Sequence, residues 1–406
     1  MTITYSVVNL QAETHRVGFR MELEASADGP TELVLPTWVP GSYEIRESAR
    51  ELRELTAHRS TGGNPLPVER VAKNRWRIEA PPGTPVTVDY TVYAHDLLDD
   101  GLEATTEHLF LNSGRCFPCV DGRRKEPVEL TLHLPHDWTA YAELPRVAEH
   151  PVRFRAMDYD ELLDTPVDCG RPTTFEIRPQ GIPHRVLICG APGNYELHRL
   201  EEDLDKIVTA AIAYMDGSPL RSFTFFYHLT DGPRSGLEHR ASTSIIANRL
   251  MFQPRESYEE FLSVSAHEYF HLYNVKRIRP QLLIDPPLDT EVYSRLLWLM
   301  EGTTDYVALL LLRRAGLDTP LRTRERLAER VRQYRLIPGR LARSLEEASL
   351  LSWIDLYHPY EESRNQSVSY YTKGQLVSWC VDLEILSRSG ATRSLQDVMR
   401  YLWREY

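Results

Sequence analysis

The sequence predicts an α+β multidomain protein: an N-terminal antiparallel β domain over residues 1–195, then a mostly helical domain with a small β-sheet over residues 196–406. Three observations carry that expectation. A chain of 406 residues exceeds the roughly 150 of a typical domain, so it has room for two or three cores. Up to about residue 195, apolar and polar residues alternate with period two in short segments such as Phe19 to Glu24, Val86 to Tyr93 and Val128 to Leu134, separated by Pro, Gly and Asp clusters. Beyond that point apolar residues recur at helical spacing, in Leu200 to Tyr214 and in nearly everything from Tyr258 onward. Phe223 to Leu229 and Ser244 to Asn248 read as neighbouring strands of the small sheet. In the first half, strand spacings near ten residues favour a sandwich or curved sheet over parallel βαβ units.

Composition narrows the function classes. Hydrophobic residues at 42% and charged residues at 26% describe an ordinary folded chain. The formal net charge of −11 offers no electrostatic basis for nucleic acid or an anionic membrane as the main partner, and neither is expected. Five cysteines are odd in number and unevenly spaced, which argues against a disulfide framework. Cys116 and Cys119 have the spacing of half a zinc ribbon, but no second such pair exists, so they read as buried free thiols. The N-terminus lacks a basic stretch followed by an apolar one, and the run Val307 to Leu312 is far shorter than the roughly 20 residues of a membrane span. A cytoplasmic location is the expectation. The arginine-dense stretch Arg313 to Arg343 has Glu325, Glu329, Glu346 and Glu347 interleaved or adjacent, as on a solvated amphipathic helix.

The informative chemistry begins at His267-Glu268-Tyr269-Phe270-His271, an H-E-x-x-H motif in a helix-compatible apolar run. Residues four apart share a helix face, so His267 and His271 can aim imidazole nitrogens at one zinc ion while Glu268, about 100° round, reaches a water there. A third ligand is required. Arg295 to Leu312 places Glu301 in the middle of a helix apolar enough to be buried on most of its faces, where an unpaired carboxylate is costly and a cation would compensate it. The other reading makes Glu301 a surface residue or a partner of Arg295 or Lys276. Two histidines and one glutamate leave a coordination position open, as catalytic rather than structural zinc sites do. Asp305, four residues on, suits either a hydrogen bond to a ligand or a surface or capping role.

Two further segments fit chemistry on peptides. Ser235 to His239 reads as a strand whose Gly236 permits close backbone approach and whose Glu238 either binds a substrate's free α-ammonium or is an ordinary surface residue. In Tyr370-Tyr371-Thr372-Lys373-Gly374, just before another apolar helix, a phenol can donate to the oxyanion of a tetrahedral intermediate.

Taken together, these segments resemble the glycyl aminopeptidase family of gluzincin zinc metallopeptidases. The resemblance spans essentially the whole chain and rests on Trp38 to Arg46, Gly236 to His239, the H-E-x-x-H helix running into Asn274 to Pro280, and Trp298 to Gly302. It implies a thermolysin-like catalytic domain after the β domain and a C-terminal PDZ domain, a module expected from the family and absent from residues 1–406. It implies one Zn²⁺ per chain on His267, His271 and Glu301, with Glu268 as general base. Tyr371, beside Tyr370, corresponds to the tyrosine of the broader group's Y-E-K-G motif, with Thr372 in place of Glu. The activity implied is aminopeptidase cleavage of peptides with a free N-terminus, held by Glu238 and Gly236, with Gly or Ala favoured as the first residue. The competing expectations are a gluzincin-fold scaffold without turnover and a zinc endopeptidase. The Trp38 to Arg46 segment reads as a packing or substrate-rim element.

Overall fold

Alternation in the first half produces strands as expected, and the computed structural model, which describes residues 2–405, separates into two units. The first holds residues up to Thr173 together with Leu288–Thr290. Its strands form sheets of eight, five and four strands. The largest is centred on Ile3–Gln11, Arg16–Glu24 and Pro85–Tyr93, paired antiparallel, while Ile3–Gln11 runs parallel to Val128–Leu132 on its other side. That parallel pair is a departure from a purely antiparallel domain. Period-two burial is visible along Ile3–Gln11, where Ile3, Tyr5 and Val7 are buried between accessible neighbours.

The C-x-x-C segment is part of this core. Tyr90, Tyr159 and Tyr5 donate hydrogen bonds to the carbonyls of Cys116, Phe117 and Pro118, at 2.8, 2.5 and 2.7 Å. Both thiols are free and buried, and burial pushes Cys119 up to about 12, the behaviour of an inert packing thiol. Trp38 and Tyr43 are also buried in this unit, and Arg46 donates to Asp100 at 2.9 Å.

The second unit holds Thr174–Pro287 and Glu291 onward. The boundary therefore falls earlier than residue 195. Strands Thr173–Ile177 and His184–Gly190 belong to the second unit's five-stranded sheet, where His184–Gly190 runs parallel to Phe223–Thr230. Alternation identifies a strand without saying which sheet it joins. Ser242–Asn248 continues the parallel set, and Ser235–Glu238 closes the edge antiparallel to it.

This sheet shares a core with the helices Leu197–Met215 and Arg255–Phe270, through residues such as Ile207, Ala211, Phe225, Tyr227, Phe261 and Tyr269. Tyr258, Phe261, Leu262, Ser265, Ala266 and Tyr269 recur at helical spacing and are all buried. Each large apolar side chain so buried contributes about 1.5–3 kcal/mol. Buried hydrogen bonds fix the rotation of the Arg255–Phe270 helix: Tyr227 donates to Ser265 Oγ at 2.9 Å, and His184 Nε2 lies 3.0 Å from the Tyr269 hydroxyl.

From His271 to about Leu297 the chain is largely irregular, interrupting the helical run that the sequence predicts. The arginine-rich stretch forms the helix Pro320–Arg335, whose Arg322 and Arg326 each lie 2.9 Å from the Glu259 carboxylate. Among the described residues, no helix is long and apolar enough to cross a membrane.

Candidate metal centre

Three elements of the second unit build the site: the helix Arg255–Phe270 with His271 at its end, the turn Trp298–Gly302 leading into the helix Thr303–Arg314, and the edge strand Ser235–Glu238. His267 Nε2 lies 2.8 Å from His271 Nε2. Glu301 Oε2 lies 3.4 Å from the first and 3.1 Å from the second. Ligands of a tetrahedral zinc at about 2.0–2.2 Å sit about 3.3–3.6 Å apart, a spacing that the two Glu301 separations approach and the His267–His271 separation undershoots. All three side chains are buried, and their donor atoms converge on one point.

The far ring nitrogen of His271 is engaged as a metal-binding imidazole requires, and that of His267 faces a carboxylate at ion-pair distance without a formed hydrogen bond among the described residues. His271 Nδ1 lies 2.8 Å from the Asn274 carbonyl, and His267 Nδ1 lies 2.9 Å from Asp305 Oδ1. Burial depresses the basicity of His267, yet Asp305 and Glu301 override it and hold the imidazole above its usual range. Burial likewise opposes ionisation of Glu301, and the charge of His271 with hydrogen bonds from both histidines overrides it and holds the carboxyl low. The cluster thus demands positive charge at its centre, supplied by protons or by a metal cation. The donor set fits zinc.

Glu301 is not mid-helix as the apolar run suggests. It sits in a π-helical turn, Trp298–Gly302, just before the regular helix. Such turns widen the backbone and re-aim a side chain, here into the cluster. Gly302 makes this possible: a Cβ there would lie 2.6 Å from the Gly374 carbonyl carbon and 2.8 Å from Gln375 N, both backbone atoms. The same close crossing brings the helix Tyr370–Arg388, and with it Tyr371, beside Glu301. Gly302→Ala is therefore expected to destabilise the protein by about 1–3 kcal/mol through overpacking, read as a lowered Tm; an unchanged Tm would mean that the helices separate freely.

Glu268 is buried, and its Oε2 has no hydrogen-bond partner among the described residues. Burial, opposed by the two histidines, holds its carboxyl above the ordinary range. Glu238 is not a surface residue: it is 3% exposed, its Oε1 has no hydrogen-bond partner among the described residues, and Lys276 Nζ lies 3.9 Å away. Lys276 thus approaches Glu238. Gly236 lies directly against Glu268, where a Cβ would overlap the carboxylate, 2.6 Å from Cδ.

The two candidate tyrosines separate by packing. Tyr370 is wholly buried, whereas Tyr371 is partly accessible and stacks on His267 with ring centroids 6.3 Å apart. Burial first, and then the Glu301 charge, raises the Tyr371 phenol well above 10, so it stays protonated and able to donate. Tyr357, which sequence reasoning did not single out, places its hydroxyl 3.3 Å from those of both Tyr370 and Tyr371. It lies in a turn-rich segment with no motif to mark it.

Compared with known families, residues 4–171 match the Peptidase M61 N-terminal domain and residues 260–377 match the M61 glycyl aminopeptidase. No curated protein matches the chain. Among solved structures, an aminopeptidase N family protein from Idiomarina loihiensis is 33% identical with a TM-score of 0.94, over 100% of this chain and 70% of that one. An M1 zinc metallopeptidase from Deinococcus radiodurans, bound to a Tyr-Ser-Ala substrate, has a TM-score of 0.58 at 13% identity, over 99% of this chain and 85% of that one. The same enzyme in another structure gives 0.57 at 13% identity, over the same 99% and 85%. The M1 likenesses establish a shared fold.

Proposed function

The chain belongs to the M61 glycyl aminopeptidase family and is an aminopeptidase-type metallopeptidase, and from that premise we propose that it is a zinc-dependent enzyme that removes small N-terminal residues, Gly or Ala, from peptides. The observation that carries this reading is the convergence of His267, His271 and Glu301 within 2.8–3.4 Å of one another, with Glu268 beside them, its Oε2 without a hydrogen-bond partner among the described residues. Gly236 and Glu238 on the edge strand add the substrate side of the site.

His267, His271 and Glu301 would hold one zinc ion per chain, which would supply Lewis acidity toward a water and the scissile carbonyl. Glu268 accepts the proton of the attacking water and returns it to the leaving amine. Its burial and the absence of a hydrogen-bond partner for Oε2 among the described residues support that role. Tyr371 donates its phenolic hydrogen to the developing oxyanion. The strand Ser235–Glu238 ends the sheet, so its outer edge is available to an extended peptide backbone. Glu238 receives the substrate's α-ammonium in a charge-assisted hydrogen bond, which sets the cleaved bond one residue from the N-terminus. Asp305 orients His267 through its Nδ1.

The test compares Gly- and Ala-p-nitroanilide with their N-acetyl counterparts, before and after chelation and after zinc is restored. Cleavage of the free amines alone, lost on chelation and regained with zinc, is expected; cleavage of the acetylated compounds, or activity indifferent to chelation, would overturn the proposal. Glu238→Gln is expected to raise KM for the free amine by about 10- to 100-fold, the equivalent of roughly 1.5–3 kcal/mol for a hydrogen bond to a charged group. Unchanged KM would assign Glu238 to structure alone.

A further inference from the structure

The turn after the second histidine, Asn274 to Ile278, contains groups that the proposed reaction leaves without a role. Asn274 is completely buried. The two hydrogens of its Nδ2 are shared among three acceptors, the carbonyls of Leu299 and Met300, each at 2.9 Å, and Thr304 Oγ1 at 3.0 Å. Because the Thr304 hydroxyl itself donates to the Met300 carbonyl, all three neighbours present lone pairs to the amide, which fixes its orientation. Two of those acceptors lie in the π-helical turn that carries Glu301, where the wider turn breaks the regular hydrogen-bond ladder. The main chain of Asn274 faces the other ligand: its carbonyl lies 2.8 Å from His271 Nδ1, which leaves Nε2 as the nitrogen with a free lone pair.

We infer that Asn274 is a positioning residue that ties the His271 imidazole and the Glu301 carboxylate into one frame, its side chain holding the turn of Glu301 and its carbonyl holding His271. Backbone strain accompanies this arrangement. Val275 has φ of 99°, a conformation that a β-branched residue adopts only when its surroundings enforce it. Hydrogen bonds from Val275 N to the Ile278 carbonyl, 3.0 Å, and from Lys276 N to the His271 carbonyl, 3.1 Å, enforce it here. The consequence is a single residue that spans the sequence gap between the second histidine and the carboxylate ligand.

This inference rests on the metal-site reading above, and its test reads the metal directly. The full chain is stripped of metal and titrated with Zn²⁺ against a chromogenic chelator of known affinity, for wild type, Asn274→Ala, Glu301→Gln and the double variant. Asn274→Ala is expected to bind zinc about 10- to 100-fold more weakly, the usual effect of removing a group that orients a ligand. In the Glu301→Gln background the same change should have little further effect, because the ligand it positions is gone. Wild-type affinity in Asn274→Ala, or an equal loss in both backgrounds, would overturn the inference while leaving the metal site standing. A wild type that takes up no zinc would overturn the metal-site reading and this inference with it. Should Asn274→Ala fail to fold, Thr304→Val removes one of the three acceptors and is expected to weaken zinc binding several-fold, an unchanged affinity again counting against the role.

Discussion

Glu268→Gln is expected to lower kcat on Ala-p-nitroanilide by about 10²- to 10⁴-fold while zinc content and Tm stay near those of the wild type. Glutamine keeps the volume and the reach of the side chain, so the buried packing around residue 268 survives. What it removes is the capacity to accept a proton. Glu268 suits the proposed function because burial holds its carboxyl above the ordinary range, and because its Oε2 has no hydrogen bond among the described residues to compete with a water. Loss of zinc along with loss of activity would instead mean that Glu268 shapes the ligand cluster, since it lies one residue from His267. The assay therefore needs metal analysis on the same preparation. Turnover undiminished in the presence of bound zinc would remove Glu268 from the role of base.

Much of this site was legible in the sequence because its geometry is local. His267 and His271 are four residues apart on a helix, and the helical repeat alone puts them on one face. Glu301 could be singled out because a carboxylate in an apolar run needs a cation, and the structure places it 3.1 Å from His271 Nε2. The parts that were not legible depend on contacts between distant segments. The π-helical turn under Glu301 involves an amide donated by Asn274, 25 and 26 residues before its acceptors, and no local pattern announces that. Tyr370 and Tyr371 are adjacent, so motif spacing cannot separate them, whereas stacking on His267 distinguishes them at once. The domain boundary was misplaced for a related reason: His184–Gly190 alternates like the strands before it, and its partner is Phe223–Thr230 in the second unit.

Gly236 makes a contact in the structure that its reading from the sequence did not contain. The sequence presents it as a point of close approach between strand and substrate, and the structure adds a second close approach, to Glu268, the proposed base. A Cβ at residue 236 would overlap the Glu268 carboxylate and lie 2.6 Å from Cδ and 2.8 Å from Cγ. These are the outer atoms of a flexible side chain, so Glu268 can yield by rotating, and the backbone on either side need not move. The cost to stability is correspondingly small, below about 1 kcal/mol, unlike that of Gly302→Ala, where the obstructing atoms are backbone. The cost to catalysis is large. A base displaced by about an ångström from its productive position forfeits on the order of 10²-fold in rate. Gly236→Ala should thus fold with near-normal Tm, bind zinc with wild-type affinity and lose about 10²-fold in kcat. A variant that lost KM alone, with kcat intact, would return Gly236 to a purely substrate-facing role. The double variant Gly236→Ala with Glu268→Gln separates the two explanations further. If the alanine acts by displacing the base, it has little left to disturb once the base is gone, and the two losses will not add.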